Sequence, residues 1–188
     1  MSITINKKPA YLLEALEENP RVFEEALIVE GLCKGILNQM EDSSINRCEI
    51  KIAALYRNIG LLVTGTNPDV KTYKMHPEIS AAVLEPFGYS GPIRKIISQH
   101  HERMDGTGYP NGLKEEDIID ASKILITVDA FNEMVYGGDI NNMPILEERY
   151  KDEEYIETVL NIMKSTKKFD IEYVSYLEKH LREEGFLK

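Results

Sequence analysis

The stretch QHHERMDGTGYP, residues 99–110, holds two of the chain's four histidines side by side. His100 follows Ile96 by four residues and His101 follows Ile97 by four, so both continue the apolar face of a predicted helix. Buried imidazoles need polar partners, and neutral imidazole is the commonest metal ligand. The pair therefore indicates either a metal site or two histidines that are hydrogen-bonded within the core.

Asp129 and His76 extend this set. Asp129 lies four residues after Leu125 on the apolar side of a predicted helix, where a carboxylate is buried only if it is paired or binds a metal. His76 opens another predicted helix. With His100 and His101 they predict mixed imidazole and carboxylate ligation, which suits zinc, iron, manganese or nickel. A metal with an open position there would activate water and polarise a phosphoryl group. The alternatives are an ion pair for Asp129 and a surface or capping role for His76.

Helical periodicity runs through almost the whole chain and predicts an all-α fold, a bundle of roughly seven to nine helices. His76-Pro77 and Gly91-Pro92 each open a predicted helix, because proline suits the first helical positions. We expect residues 1–20 to form a short N-terminal helical extension and residues 21–188 to form the main domain. Further helices are predicted over 22–40, 46–63, 121–135, 145–165 and 171–183, with loops over 106–112 and 136–144.

Composition limits the class of protein. The net charge of −10 argues against binding a nucleic-acid polymer, which needs a basic face. No apolar run reaches the roughly 20 residues that span a bilayer, and no signal peptide is recognisable. These features predict a cytoplasmic protein with no membrane contact. Cys33 and Cys48 are therefore expected to be buried thiols rather than a disulfide.

The stretch HHERMDGTGYP resembles the signature of the HD-GYP family, a branch of the HD phosphohydrolase superfamily. KMHPEISAAVLEPF and GLKEEDIIDASKILITVDAFNEMV resemble the flanking family segments, which carry an upstream metal histidine, here His76, and a metal aspartate, here Asp129. The resemblance covers roughly residues 22–139. It implies an all-α domain with two or three metals, usually iron or manganese, and hydrolysis of the bacterial second messenger cyclic di-GMP. In register with the signature are His100, His101, Glu102, Asp105, Gly106, Gly108, Tyr109 and Pro110.

The chain departs from the family where the name-giving His-Asp pair should stand. Arg57 and Asn58 occupy those two positions, and Leu61 replaces a lysine that usually follows. The missing aspartate would bridge two metals as an anion, whereas Asn58 is neutral and Arg57 is permanently charged. The Arg57 guanidinium is a candidate to occupy the first metal's position. An earlier family histidine is also absent; Glu25 falls near its place and is expected on the helix surface, with a carboxylate ligand as the alternative.

The remaining set, His76, His100 and His101 with Asp129, predicts one divalent metal such as iron or manganese, or none. Arg103, Lys123 and Tyr109 are candidates for binding a ligand, with surface charge as the alternative for the two basic residues.

These features predict a degenerate, non-hydrolytic HD-GYP domain that acts as a ligand-binding or interaction module in cyclic di-GMP signalling. Its ligand would be a cyclic dinucleotide or a phosphate ester, and a protein partner would dock on the loop over residues 106–112, called the GYP loop below. The alternative is a metal-dependent phosphodiesterase with a reduced metal site, acting on cyclic di-GMP or another phosphate ester. A third interpretation is a structural bundle whose histidines bond internally.

Overall fold

A computed structural model describes residues 8–41, 44–64, 68–136 and 152–188. Within these ranges ten α-helices are present, eight of which have nine residues or more, and no strand is found. The predicted all-α fold is confirmed. The helices are α1 (Lys8–Glu17), α2 (Pro20–Gln39), α3 (Arg47–Tyr56), α4 (Ile59–Thr64), α5 (Val70–Lys74), α6 (His76–Leu84), α7 (Gly91–Gln99), α8 (Asp120–Tyr136), α9 (Glu153–Ser165) and α10 (Ile171–Glu183), with 3-10 turns at Glu85–Phe87 and Glu115–Asp117.

The core lies between α2, α3, α7, α8 and α10. Helix α2 packs against α3, α8 and α10, while α7 packs against α3, α6 and α8. Ile36, Ile96 and Phe131 are fully buried at these contacts. Leu12 and Leu16 of α1 join the same core, and the predicted division into residues 1–20 and 21–188 stays a prediction. Because α8 runs through the core, a polar side chain on its inner face must find a partner there.

The predicted helix over 46–63 is wrong in one respect, because the structure breaks it at Arg57 and Asn58. The Arg57 guanidinium donates through Nη1 to the carbonyl of Ala54 at 2.9 Å. The N–H of Gly60, which an unbroken helix would give to a carbonyl four residues earlier, donates instead to Ser80 Oγ at 2.9 Å. These side-chain contacts end α3 and turn α4 toward α6.

Other predicted boundaries follow their local signals. Ser90 caps α7 through its hydroxyl, and α7 ends at Gln99, so the histidine pair lies immediately after the helix. The predicted loop over 136–144 lies almost wholly outside the described residues, as does the start of the helix predicted over 145–165. No helix in the described ranges combines the length and apolar character needed to cross a bilayer.

The two cysteines differ from the expectation. Cys33 is buried, but Cys48 is exposed, so the prediction of two buried thiols is wrong for Cys48. Cys48 lies in the first turn of α3, where its amide donates to the capping Asn46 side chain, and the buried stripe of this helix begins at Ile50. Both thiols are free, as predicted.

Candidate metal centre

Three histidines from two helix ends converge in the interior. His76 is the first residue of α6, and His100 and His101 directly follow α7. All three are at most 2% exposed. Each offers a ring nitrogen within 4.8 Å of those of the other two, which is close enough to hold one metal ion. The structure therefore brings together the three histidines that the sequence analysis selected.

The hydrogen bonds of His76 and His100 fix which ring nitrogen carries the proton. Nδ1 of His76 lies 2.7 Å from the carbonyl oxygen of Tyr73, and Nδ1 of His100 lies 2.6 Å from that of Ile97. A carbonyl oxygen only accepts, so both Nδ1 atoms donate and both Nε2 atoms keep a lone pair. This arrangement is typical of metal-binding histidines, whose second nitrogen is held by a backbone carbonyl.

The two Nε2 atoms face each other at 3.2 Å. Two neutral imidazole acceptors at this distance repel each other unless a proton or a cation lies between them. Burial disfavours the protonated form: it lowers the pKa of His76, lowers that of His100 to about 3, and holds that of His101 well below its usual range. A divalent cation fits this donor set better than a proton does.

Asp129 adds a carboxylate to the histidines. It lies on α8, is 1% exposed, and its Oδ2 is 3.4 Å from Nδ1 of His101. Neither of these two buried atoms has a hydrogen-bond partner. Glu133, one turn further along α8, places Oε1 at 3.8 Å from the same Nδ1. His101, Asp129 and Glu133 therefore form a second group with metal-ligand spacing.

Glu133 was not among the site residues predicted from the sequence. Its spacing of four residues from Asp129 on α8 was the available signal, because such residues lie on the same face of a helix. Burial raises the pKa of the Glu133 carboxyl to about 8, and the neighbouring charge of Asp129 adds to this increase. Glu133 thus lies at the edge of the same charged cluster.

The Arg57 guanidinium lies on the other side of Asp129. Its Nε donates to Asp129 Oδ1 at 2.6 Å, and its Nη2 donates to Glu25 Oε1 at 2.6 Å. Burial acts to raise the pKa of Asp129, but the charge and hydrogen bond of Arg57 together with other nearby positive groups outweigh burial, so the pKa is lowered. Burial raises the pKa of Glu25, and Arg57 opposes that increase. Arg57 itself is fully buried.

Glu25 was expected on the helix surface, and this expectation is wrong. Glu25 is 5% exposed and also accepts from Asn132 Nδ2 at 3.3 Å. The Arg57 cation is the physical reason that a carboxylate is tolerated at this position of α2. Asn58 is also buried, and its Oδ1 has no hydrogen-bond partner, whereas Leu61 is half-buried on α4.

Glu102 holds the GYP loop over the histidines, a role that the sequence analysis did not assign. It is fully buried and accepts from the amides of Asn111 at 2.8 Å and Leu113 at 2.9 Å. The amide of Tyr109 donates to the carbonyl of His101 at 3.1 Å, and the two rings lie 4.6 Å apart. The signal in the sequence was an acid directly before a glycine-rich turn, whose amides need acceptors.

Of the two basic residues predicted to bind a ligand, Arg103 lies beside the histidine cluster, whereas the described ion pair of Lys123 is with Asp120. Arg103 lies beside the cluster, with Nη2 at 3.8 Å from Glu133 Oε2 and its guanidinium over the ring of Phe169 at 5.4 Å. Lys123 forms an ion pair with Asp120 at 3.1 Å, one turn earlier on α8. Among the described contacts none joins Lys123 to the histidines, so its role in ligand binding stays a prediction.

Residues 11–145, more than half of the chain, match the family described as the HD domain. The chain belongs to the HD domain family. The family resemblance found in the sequence is thereby confirmed, although Arg57 and Asn58 replace the two residues that name the family.

Several relatives similar in sequence to this HD domain are phosphodiesterases of cyclic dinucleotides. A cyclic di-GMP phosphodiesterase of Thermotoga maritima is 32% identical over 133 residues, which are 63% of this chain and 36% of the relative. The chain thus spans about a third of that relative's length.

Solved structures share the fold. The HDG"Y"P protein Bd1817 of Bdellovibrio bacteriovorus superposes with a TM-score of 0.64 at 16% identity, covering 86% of this chain and 52% of that protein. The HD domain of the Listeria monocytogenes phosphodiesterase PgpH, in complex with cyclic di-AMP, superposes with a TM-score of 0.62 at 14% identity, covering 90% and 92%.

Proposed function

We propose that this HD domain is a metal-dependent phosphodiesterase that hydrolyses a cyclic dinucleotide, using a reduced metal site. His76, His100, His101 and Asp129 would hold a divalent ion there. The observation that supports this proposal most strongly is the pair of Nε2 lone pairs that face each other at 3.2 Å in a buried, neutral histidine cluster. The phosphodiesterase names of its relatives point to the same class of substrate.

A bound divalent ion would supply a Lewis acid for a phosphoryl oxygen. The chain's own groups prepare that position. The carbonyls of Tyr73 and Ile97 hold the rings of His76 and His100 in one tautomer and orientation. The GYP loop, fixed by Glu102, lies against His101.

Arg103 and Tyr109 are the proposed contacts to substrate. The Arg103 guanidinium is held next to the cluster by Phe169 and Glu133, so that its positive charge suits a phosphate oxygen. The Tyr109 ring, 4.6 Å from that of His101, offers an aromatic surface at the loop.

A second candidate is the non-hydrolytic binding or interaction module. The buried ion pairs of Arg57 with Glu25 and Asp129 favour it. They place a guanidinium in the region where the resemblance implies an aspartate that bridges two metals. The two candidates differ in turnover, since a binding module retains the dinucleotide unchanged.

The test combines metal content with turnover. Protein stripped with a chelator is reloaded anaerobically with manganese or iron(II), its metal content is measured, and cyclic di-GMP, cyclic di-AMP and 3′3′-cGAMP are offered as substrates. We expect hydrolysis of at least one dinucleotide at about 1 per second or faster. His100→Gln should lose the ion and at least about 100-fold in rate. His180→Gln is the matched control, because it alters the chain's remaining histidine, which lies on α10. Metal-free protein after reloading, or an unchanged rate in His100→Gln, would contradict the proposal.

A further inference from the structure

We propose that the Arg57 guanidinium acts as a built-in cation in place of a second metal ion, and that it positions Asp129 as a one-oxygen ligand of a single ion. This inference rests on the proposed function and specifies how many ions the site holds. It makes Arg57 a positioning residue, since the described hydrogen-bond contacts of its buried side chain lead to the histidines through Asp129.

The two carboxylate oxygens of Asp129 have different partners. Oδ1 is 2.6 Å from Arg57 Nε, and Oδ2, which has no hydrogen-bond partner, is 3.4 Å from His101 Nδ1. Arg57 is itself held at two further points, by Glu25 Oε1 at 2.6 Å and the Ala54 carbonyl at 2.9 Å. A guanidinium held at three points keeps its hydrogen bond to Oδ1 in place, which leaves Oδ2 on the side of His101.

The charges allow one divalent ion more readily than two. Within the buried cluster Glu25 and Asp129 supply at most two negative charges and Arg57 supplies one positive charge, while Arg103 and Glu133 pair with each other at its edge. One divalent ion beside the neutral histidines leaves a net charge of about +1, whereas two ions would leave about +3 in a buried site. Uncompensated charge in a protein interior is strongly unfavourable.

Restoring a His-Asp pair at residues 57 and 58 should admit a second ion. The double variant Arg57→His/Asn58→Asp removes the fixed cation, adds an imidazole, and adds a carboxylate on the residue next to Arg57. Asn58 is buried, and its side-chain oxygen lacks a partner. A buried aspartate at this position would need a cation to balance its charge. Three acids then balance two divalent ions to the same net charge of about +1.

The experiment measures manganese bound per chain after metal-free protein is saturated with excess manganese and freed of unbound ion. We expect one ion in the unmodified protein and two in Arg57→His/Asn58→Asp. Two ions in the unmodified protein would overturn this inference and leave the proposed phosphodiesterase intact. No ion in the unmodified protein would overturn the proposed function, and this inference with it. One ion in the folded double variant would mean that removing Arg57 does not admit a second ion, and it would overturn the inference.

If the double variant does not fold, anomalous scattering from crystals of the unmodified protein soaked in manganese decides. One peak beside the histidines, with Arg57 still bonded to Glu25 and Asp129, supports the inference. A second peak between those two carboxylates, with Arg57 displaced, overturns it.

The positioning role has its own test. Arg57→Lys keeps the charge but replaces a planar donor with a single ammonium, which cannot hold Asp129 and Glu25 in the same geometry. The manganese Kd of the folded variant should rise by about 10-fold or more, and the rise should largely vanish in an Asp129→Asn background, because Arg57 acts through Asp129. Arg182→Lys, at an exposed arginine on α10, is the matched control. An unchanged Kd in Arg57→Lys, or a full rise in the Asp129→Asn background, would overturn the positioning role.

Discussion

Replacing Arg57 with methionine tests how the buried charges are balanced. The substitution keeps an unbranched side chain but leaves Glu25 and Asp129 without the cation that now lies 2.6 Å from each. Removing one partner of a buried ion pair costs about 3–5 kcal/mol, because the remaining charge is neither solvated nor paired. For a domain of this size each kcal/mol lowers Tm by about 2–4 °C, so the expected decrease is roughly 6–20 °C.

The measurement is thermal and urea unfolding in the presence of a chelator, so that bound metal does not contribute. Arg182→Met is the control, since the Arg182 side chain is 39% exposed and its ion pairs lie at the surface. Such pairs contribute about 0–1 kcal/mol. Adding Glu25→Gln to Arg57→Met should restore part of the lost stability, because it removes one of the two unpaired charges.

The loss of stability in Arg57→Met should depend on pH in a definite direction. In Arg57→Met the buried carboxyls should have pKa values above those of the unfolded chain, so their contribution is favourable at low pH and is lost as pH rises. In the unmodified protein the lowered pKa of Asp129 contributes stability at higher pH that is lost as pH falls. The deficit of the variant should therefore be largest near neutral pH and shrink toward pH 4. A loss below about 1 kcal/mol, or a deficit that grows on acidification, would refute the balance of charge inferred for this cluster.

Three further predictions concern the loop and the histidines. Glu102→Gln should cost about 1–3 kcal/mol in urea unfolding, because a carboxylate that accepts two loop amides loses its charge and one acceptor. Gly108→Ala should destabilise the loop and weaken manganese binding in a titration, because an added Cβ would lie 2.3 Å from the Arg103 backbone nitrogen. In metal-free protein, lowering the pH from 7 to 5 should reduce urea stability by about 2 kcal/mol through His100 alone. Its folded pKa of about 3 lies below the usual value, so its contribution is present above pH 6.5 and is lost as pH falls; His100→Gln should remove that portion.

Local signals in the sequence predicted where most helices begin. Pro77 and Pro92 lie in the first turns of α6 and α7, as predicted from their fixed backbone geometry. The break between α3 and α4 could not be predicted in this way. It depends on contacts with distant residues, such as the bond from the Gly60 amide to Ser80 Oγ, which no periodicity in residues 46–63 encodes.

In the site, too, some residues could be predicted from local sequence signals and others could not. His100 and His101 were predictable because their spacing from buried isoleucines placed them on an interior face. Glu25 was not, because an acid in a helix is usually exposed and its partner lies 32 residues further along the chain. A buried acid can be predicted only together with its cation, and the sequence does not show that the two meet.

The two halves of this site differ in whether their charges and lone pairs are already matched. On one side of Asp129, Arg57 satisfies Oδ1 and Glu25 without any ion. On the other side, Oδ2 and the facing Nε2 atoms of His76 and His100 are acceptors that no donor in the described structure satisfies. An added cation therefore gains most on the histidine side and least beside Arg57. If the proposed metal site is correct, loss of the HD pair would reduce the number of ions that the site can hold, while the histidine half keeps the donors needed for one.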